Sequence, residues 1–129
     1  MNLELNTNDN YKIETLNAKI SSVSLYSNPV LSCELGLNLP DGMGVRFGNC
    51  RLDRFDKERN KCVGTAIGLS FIMEIMNVVG VNKWEDLINQ YVRVKVDNSG
   101  KIIGIGNIMK DEWLYPNTFF DENKALDKF

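Results

Sequence analysis

Strict alternation marks residues 31–39. Leu31, Cys33, Leu35, Leu37 and Leu39 face one way; Ser32, Glu34, Gly36 and Asn38 face the other. A period of two with one apolar face predicts a strand laid on a core. Residues 12–27 are extended too, but their apolar parity changes. Leu16, Ala18 and Ile20 share one parity, Val23 and Leu25 the other. The switch near Ser21-Ser22 predicts a β-bulge. Asn28-Pro29 and Pro40-Asp41-Gly42 are turn signals, and residues 44–52 read as a third strand. Two short connections make the three strands an antiparallel meander. Further on, Val92, Val94 and Val96 alternate with Tyr91, Arg93 and Lys95. Asp97-Asn98-Ser99-Gly100 turns that strand into a fifth, over residues 101–109. Its Gly104 and Gly106 fall on one face, which predicts close approach of a backbone or an aromatic ring.

One stretch departs from this rhythm. Residues 64–80 read as a helix, with Thr65 as its cap and Gly80 as its left-handed stop. Only Ser70, Glu74 and Asn77 form a polar stripe. A helix apolar most of the way round is covered on several sides. One sheet covers one side, so a second copy of the chain is expected to cover another. Gly64 and Gly68, four apart, would let that copy approach closely. Residues 81–88 read as a short second helical turn with Asn82 as cap. Residues 53–61 read as a charged, mobile loop. The tail carries Trp113, Tyr115, Phe119 and Phe120, too aromatic to stay off the body. The fold expected is α+β: an antiparallel sheet of about five strands, order β-β-β-α-α-β-β, packed on one main helix. Residues 1–10 are expected to be a flexible terminus, 11–120 a single domain, and 121–129 a tail.

Composition narrows the function. The 129 residues are 43% hydrophobic and 25% charged, with a net charge of −2. That balance argues against a coat for extended nucleic acid, which needs a basic surface. No apolar run approaches a membrane span, and residues 1–10 do not read as a signal peptide. Three cysteines without a C-x-x-C pair, and no histidine, argue against structural zinc and for reduced thiols in a cytoplasm. Without histidine there is no histidine-based triad. Glu85 and Asp86 are adjacent on a helical turn and diverge by about 100°. Gly104-x-Gly106 lacks the rest of a dinucleotide fingerprint. No catalytic residue, metal or cofactor is expected.

Binding features remain. The helix start offers backbone N–H groups, the Thr65 hydroxyl and Lys61 to an anion. Residues 41–49 offer glycines, Arg46, Phe47 and Asn49. Arg51 and Arg93 add positive charge on strands, and Trp113 a second flat ring. Arg46 and Phe47 are neighbours on a strand and point to opposite faces. A pocket that uses an arginine and an aromatic ring together is therefore expected at a subunit interface.

The runs Gly42-x-Gly44-x-x-Phe47-Gly48-x-x-x-Leu52-Asp53, Gly64-Thr65-Ala66-x-Gly68-x-x-Phe71-Ile72, Val79-Gly80-Val81-x-x-Trp84-Glu85-Asp86-Leu87, Tyr91-Val92-Arg93-Val94, Ile103-Gly104-Ile105-Gly106-Asn107 and Lys110-Asp111-x-Trp113 resemble a widespread family of small proteins encoded by bacteriophages and prophages. The similarity covers residues 12–120. Cys50 stands where an aromatic residue is expected. Small phage proteins of this kind include non-enzymatic anti-defence proteins, among them sponges that sequester cyclic-nucleotide immune signals in pockets of a homo-oligomer. The resemblance thus implies a non-enzymatic anti-defence protein of the host bacterial cytoplasm that holds a cyclic nucleotide as a homo-oligomer. The alternative is a protein–protein inhibitor or adaptor that acts on a host defence or phage protein through an exposed sheet face.

Overall fold

The computed structural model describes residues 12–27 and 30–127. The expected loose terminus, residues 1–10, and the Asn28-Pro29 turn lie outside them. The described chain forms β1 (Glu14–Ser27), β2 (Leu31–Asn38), β3 (Gly44–Arg51), β4 (Asp53–Asp56), β5 (Lys61–Gly64) and α1 (Ala66–Val79). A 3-10 turn (Trp84–Leu87), β6 (Tyr91–Val96), β7 (Ile102–Gly106), β8 (Trp113–Leu114), α2 (Pro116–Glu122) and a last 3-10 turn (Lys124–Asp127) complete it. The fold is α+β, as the patterning predicts. Its main sheet has six strands, in the order β3-β2-β1-β6-β7-β8, and β4-β5 form a separate hairpin.

The expected bulge sits in β1. Ile20 lies opposite Leu37 and Ser22 opposite Gly36, which leaves Ser21 without a partner. One extra residue turns Val23 and Leu25 to the same side as Leu16, Ala18 and Ile20. A second bulge falls in β3, where Cys33 faces Cys50 but Glu34 faces Gly48. The extra residue, Asn49, has φ 52 beside Gly48 at φ 103. These two kinks curl the sheet until β3 returns alongside β7. All main-sheet ladders are antiparallel, so β3 and β7 run parallel. Strands β1, β2, β3, β6 and β7 thus make a partly open five-stranded barrel, with the connectivity of an OB-type barrel.

The barrel interior is apolar. Ile20, Leu35, Leu37, Phe47, Val92, Val94 and Ile105 are each at most 1% exposed. Fully burying a side chain of this size contributes about 1.5–3 kcal/mol. Helix α1 adds Phe71, Ile75 and Val78 to the same core. Its ends are as expected. The Thr65 hydroxyl accepts from the Gly68 amide at 2.9 Å. Gly80 takes φ 96, and the Gly80 and Val81 amides both reach the Met76 carbonyl. The docked tail is also as expected: Phe119 and Phe120 pack on Phe71, with centroids 5.5 and 4.8 Å away.

Other expectations need correction. Residues 53–61 are not a loose loop: β4 and β5 pair from Asp53–Gly64 to Asp56–Lys61. Gly68 is buried, and a Cβ there would collide with the Leu52 backbone of the same chain. It serves internal packing, not a second copy, so Gly68→Leu breaks the fold before any association. The polar stripe on α1 is not its solvent face. Ser70 and Glu74 are half-buried, and the exposed residues are Ala66, Leu69, Met73 and Asn77. The turn after α1 is 3-10, and its cap position is Lys83, not Asn82.

Candidate ligand-binding face

Side chains that point out of the barrel form its polar face. On β6 these are Tyr91, Arg93 and Lys95; opposite them on β1 are Lys19, Asn17 and Thr15. On β7 they are Gly104 and Gly106, with Trp113 of β8 paired beside Gly106. The two glycines have a plain use: a Cβ at Gly106 would lie 2.5 Å from the Trp113 ring, and one at Gly104 2.6 Å from the Tyr115 ring. Both rings therefore lie flat on bare backbone, as the glycine pair predicts. The two rings are near-parallel neighbours, with centroids 6.1 Å apart and planes at 17°.

Cations surround this platform. The Arg93 guanidinium carbon lies 4.8 Å from the Trp113 ring centroid and Lys95 Nζ lies 4.7 Å from it. Such contacts are favourable because the ring face is negative. Arg93 is held from behind: Nε donates to the Asn107 carbonyl and Nη2 to the Lys110 carbonyl, both at 2.7 Å. The turn that carries these carbonyls is itself tied down. The Asn107 side chain donates to the Val78 carbonyl at the end of α1 and accepts from the Met109 and Lys110 amides. Lys95 Nζ donates to Thr15 Oγ1, and Lys19 Nζ lies 5.5 Å from the Tyr91 ring centroid. Among the described residues, none of Lys19, Arg93 and Lys95 pairs with a carboxylate. Asp111 lies close, but it accepts from the Trp113 indole N–H at 3.1 Å.

Strands β2 and β3 present the opposite arrangement. Arg46 pairs with Glu34 at 3.2 Å. Arg51 Nε donates to Asp53 Oδ1 at 2.7 Å, and its Nη2 also contacts the Cys62 sulfur. Asp53 Oδ2 accepts from the Leu31 amide. That backbone bond first, and Arg51 after it, lower the Asp53 carboxyl below the ordinary value of 3.8. Asn49 is engaged by the Tyr26 hydroxyl at 2.9 Å.

Of the residues expected to bind a ligand, the structure brings Arg93 and Trp113 together. Arg46, Asn49 and Arg51 share the outward-facing side, but lie three strand spacings from Arg93, about 14 Å across the sheet. Phe47 is 1% exposed and belongs to the core, so it offers no stacking surface. Thr65 is fully engaged: its hydroxyl donates to the Leu52 carbonyl and accepts from Gly68. Lys61 opens β5 and is separated from the helix start by about 10 Å of strand. The helix-start anion site is therefore not assembled. Arg93 and Trp113 also come from one chain, so a ring and an arginine meet without a subunit interface. Lys19, Tyr91, Lys95 and Tyr115 were missed. Tyr91 and Lys95 share the parity of Arg93, which was the available signal. Their neighbours across strands depend on register.

Other sites for chemistry are sparse. No group of three or more metal-binding side chains occurs among the described residues. The cysteines are free. Cys33 is pushed up to about 12, first by burial and then by its neighbour Cys50, so it stays a thiol. No helix among the described residues is long and apolar enough to cross a membrane. The chain matches no protein-family model, and comparison with curated proteins and with solved structures returned no significant match.

Proposed function

We propose that the protein is a non-enzymatic binding module that holds an anionic nucleotide on the outer barrel face around Trp113. The observation that carries this reading is the cluster of Lys19, Arg93 and Lys95, three cations with no carboxylate partner among the described residues, packed against Tyr91 and Trp113, with Tyr115 beside Trp113. An unneutralised cation is ready for phosphate, and a flat ring is ready for a base. Phage anti-defence activity, by sequestering a cyclic-nucleotide signal in the host cytoplasm, is one form of this function. Its support is the resemblance of the sequence runs given above.

The homo-oligomer of that reading would use a different surface from the one expected. Leu69 is 65% and Met73 58% exposed on α1. Leu69 lines an apolar groove of about 510 Å³ between α1 and Leu25, Leu31 and Leu52. Light scattering at several concentrations tests assembly; a mass fixed at 14.7 kDa excludes it.

Titration calorimetry with mononucleotides and with cyclic di- and trinucleotides tests binding. The expected result is heat with at least one, with affinity weakened about tenfold in Lys95→Ala. Absence of heat with every ligand rejects the proposal. A stoichiometric protein captured from host lysate, with no nucleotide retained, would favour the inhibitor reading instead.

A further inference from the structure

Resting on that reading, we infer that the ligand is an extended single-stranded nucleic-acid segment of at least two nucleotides, with its bases side by side on Trp113 and Tyr115 and its phosphates along β6. Three observations lead here.

The first is the shape of the platform. The two rings sit over Gly106 and Gly104, two residues apart on one face of β7, with near-parallel planes and centroids 6.1 Å apart. A ligand with bases folded face to face presents one base to such a surface. An extended strand with unstacked bases presents two in a row, and covers both rings.

The second is the spacing of the charges. Arg93 and Lys95 are two residues apart along β6, so their charged side chains leave the strand ~6.8 Å apart. A spacing of that size suits successive phosphates of an extended strand. Lys19, opposite Tyr91, continues the positive row on β1. Two Arg93 nitrogens already hold backbone carbonyls, which fixes the guanidinium. Among the described residues its Nη1 has no bonded acceptor, which leaves it for a phosphate oxygen.

The third is what borders the platform. Glu74 and Glu122 line a small hollow with Trp113 and Tyr115 on the helix side, and Asp111 holds the indole N–H. Carboxylates there repel phosphate. The strand therefore lies with its bases toward β8 and its backbone toward β1 and β6. The patch is also short. A few cations in a chain of net charge −2 suit a segment of a few nucleotides and not a long coat. This place is distinct from the β2–β3 face, where barrels of this connectivity bind oligonucleotides. There Arg46 and Arg51 already hold carboxylates.

The test is fluorescence anisotropy with a labelled oligothymidylate of six nucleotides. Competitors are its abasic analogue, the same sequence as a duplex, thymidine monophosphate, a cyclic dinucleotide and an acidic peptide of equal charge. Wild type should bind the single strand at least tenfold more tightly than the abasic analogue, the duplex or the peptide. Lys95→Ala and Lys19→Ala should each weaken it about tenfold, and Tyr115→Ala about tenfold through lost stacking. Arg46→Ala should leave it unchanged. With three phosphates engaged, the log–log salt slope should be about −2. Equal affinity for the abasic analogue or the peptide would reduce the face to a plain anion patch and overturn the inference. So would a mononucleotide or cyclic dinucleotide that binds as tightly as the strand, though the nucleotide-binding reading would then stand. No binding by any nucleotide rejects both.

Discussion

The outer surface of this barrel has two halves with the same kinds of residue and opposite electrostatics. On β2 and β3 each arginine has a carboxylate: Arg46 with Glu34, Arg51 with Asp53. On β1, β6 and β8 the cations Lys19, Arg93 and Lys95 have aromatic rings, carbonyls and a hydroxyl instead. The first half is neutralised within the chain. In the second, none of the three cations has a carboxylate partner among the described residues. Counting arginines in the sequence cannot separate the two; partner chemistry can.

The largest effect should come from Arg93. It is the structural anchor of its half as well as a binding group. Arg93→Ala removes a charged donor from two backbone carbonyls, and should lower the unfolding free energy by about 2–3 kcal/mol. Chemical denaturation measures this. A loss below about 0.5 kcal/mol would show that Arg93 does not hold the 107–110 turn.

Glycines sharpen the contrast next. A methyl at Gly106 meets the rigid Trp113 ring, whereas one at Gly36 meets the hydroxyl of Ser22, the free end of a small side chain. Gly106→Ala should cost about 1–3 kcal/mol and shift the tryptophan emission. Gly36→Ala should cost less than half as much. Equal costs would mean that the ring is not seated on β7.

Acid should act on the neutralised half. The Asp53 carboxyl is lowered, so it stabilises the fold above the ordinary value of 3.8. That contribution is lost as pH falls through its folded value. Melting temperature against pH should therefore drop more steeply at the acid end in wild type than in Asp53→Asn. Superimposable curves would remove Asp53 from the account.

The smallest effect should be that of Arg46, whose side chain is 76% exposed in its ion pair. Arg46→Ala should change stability by no more than about 0.5 kcal/mol, within the usual range of surface pairs. A larger loss would make the neutralised half structural in a way that its geometry does not explain.

Much of the frame was legible because local rules dictate it. The alternation of β2, the bulge at Ser21, the Thr65 cap and the Gly80 stop each depend on residues close in sequence. Strand β8 was not legible, since two residues carry no period. Gly68 was misread because its reason is the Leu52 carbonyl, a contact outside the helix. Phe47 could have been placed inside: it sits opposite Leu35, in phase with the apolar face of β2. The binding face was half legible. Parity placed Tyr91, Arg93 and Lys95 together, and Gly104-x-Gly106 announced a close neighbour. Only the register of β7 with β8 identifies that neighbour as Trp113.

Strand β1 changes partners at Lys19, just before its bulge, and this sets an order in time. From Lys19 onward it zips to β2 across a short connection. Residues 14–19 must find β6, near the other end of the chain. Closing so long a loop is entropically slow, whereas a meander closes quickly. The β1–β2–β3 unit should therefore assemble first and the β1–β6 seam last. Ala18 and Val92, which face each other across that seam, should influence the unfolding rate far more than the folding rate. Lys19 and Tyr91 straddle the same seam. The surface proposed to hold the ligand is thus completed only as the last strands lock, and a bound ligand would act as the clasp that keeps them closed.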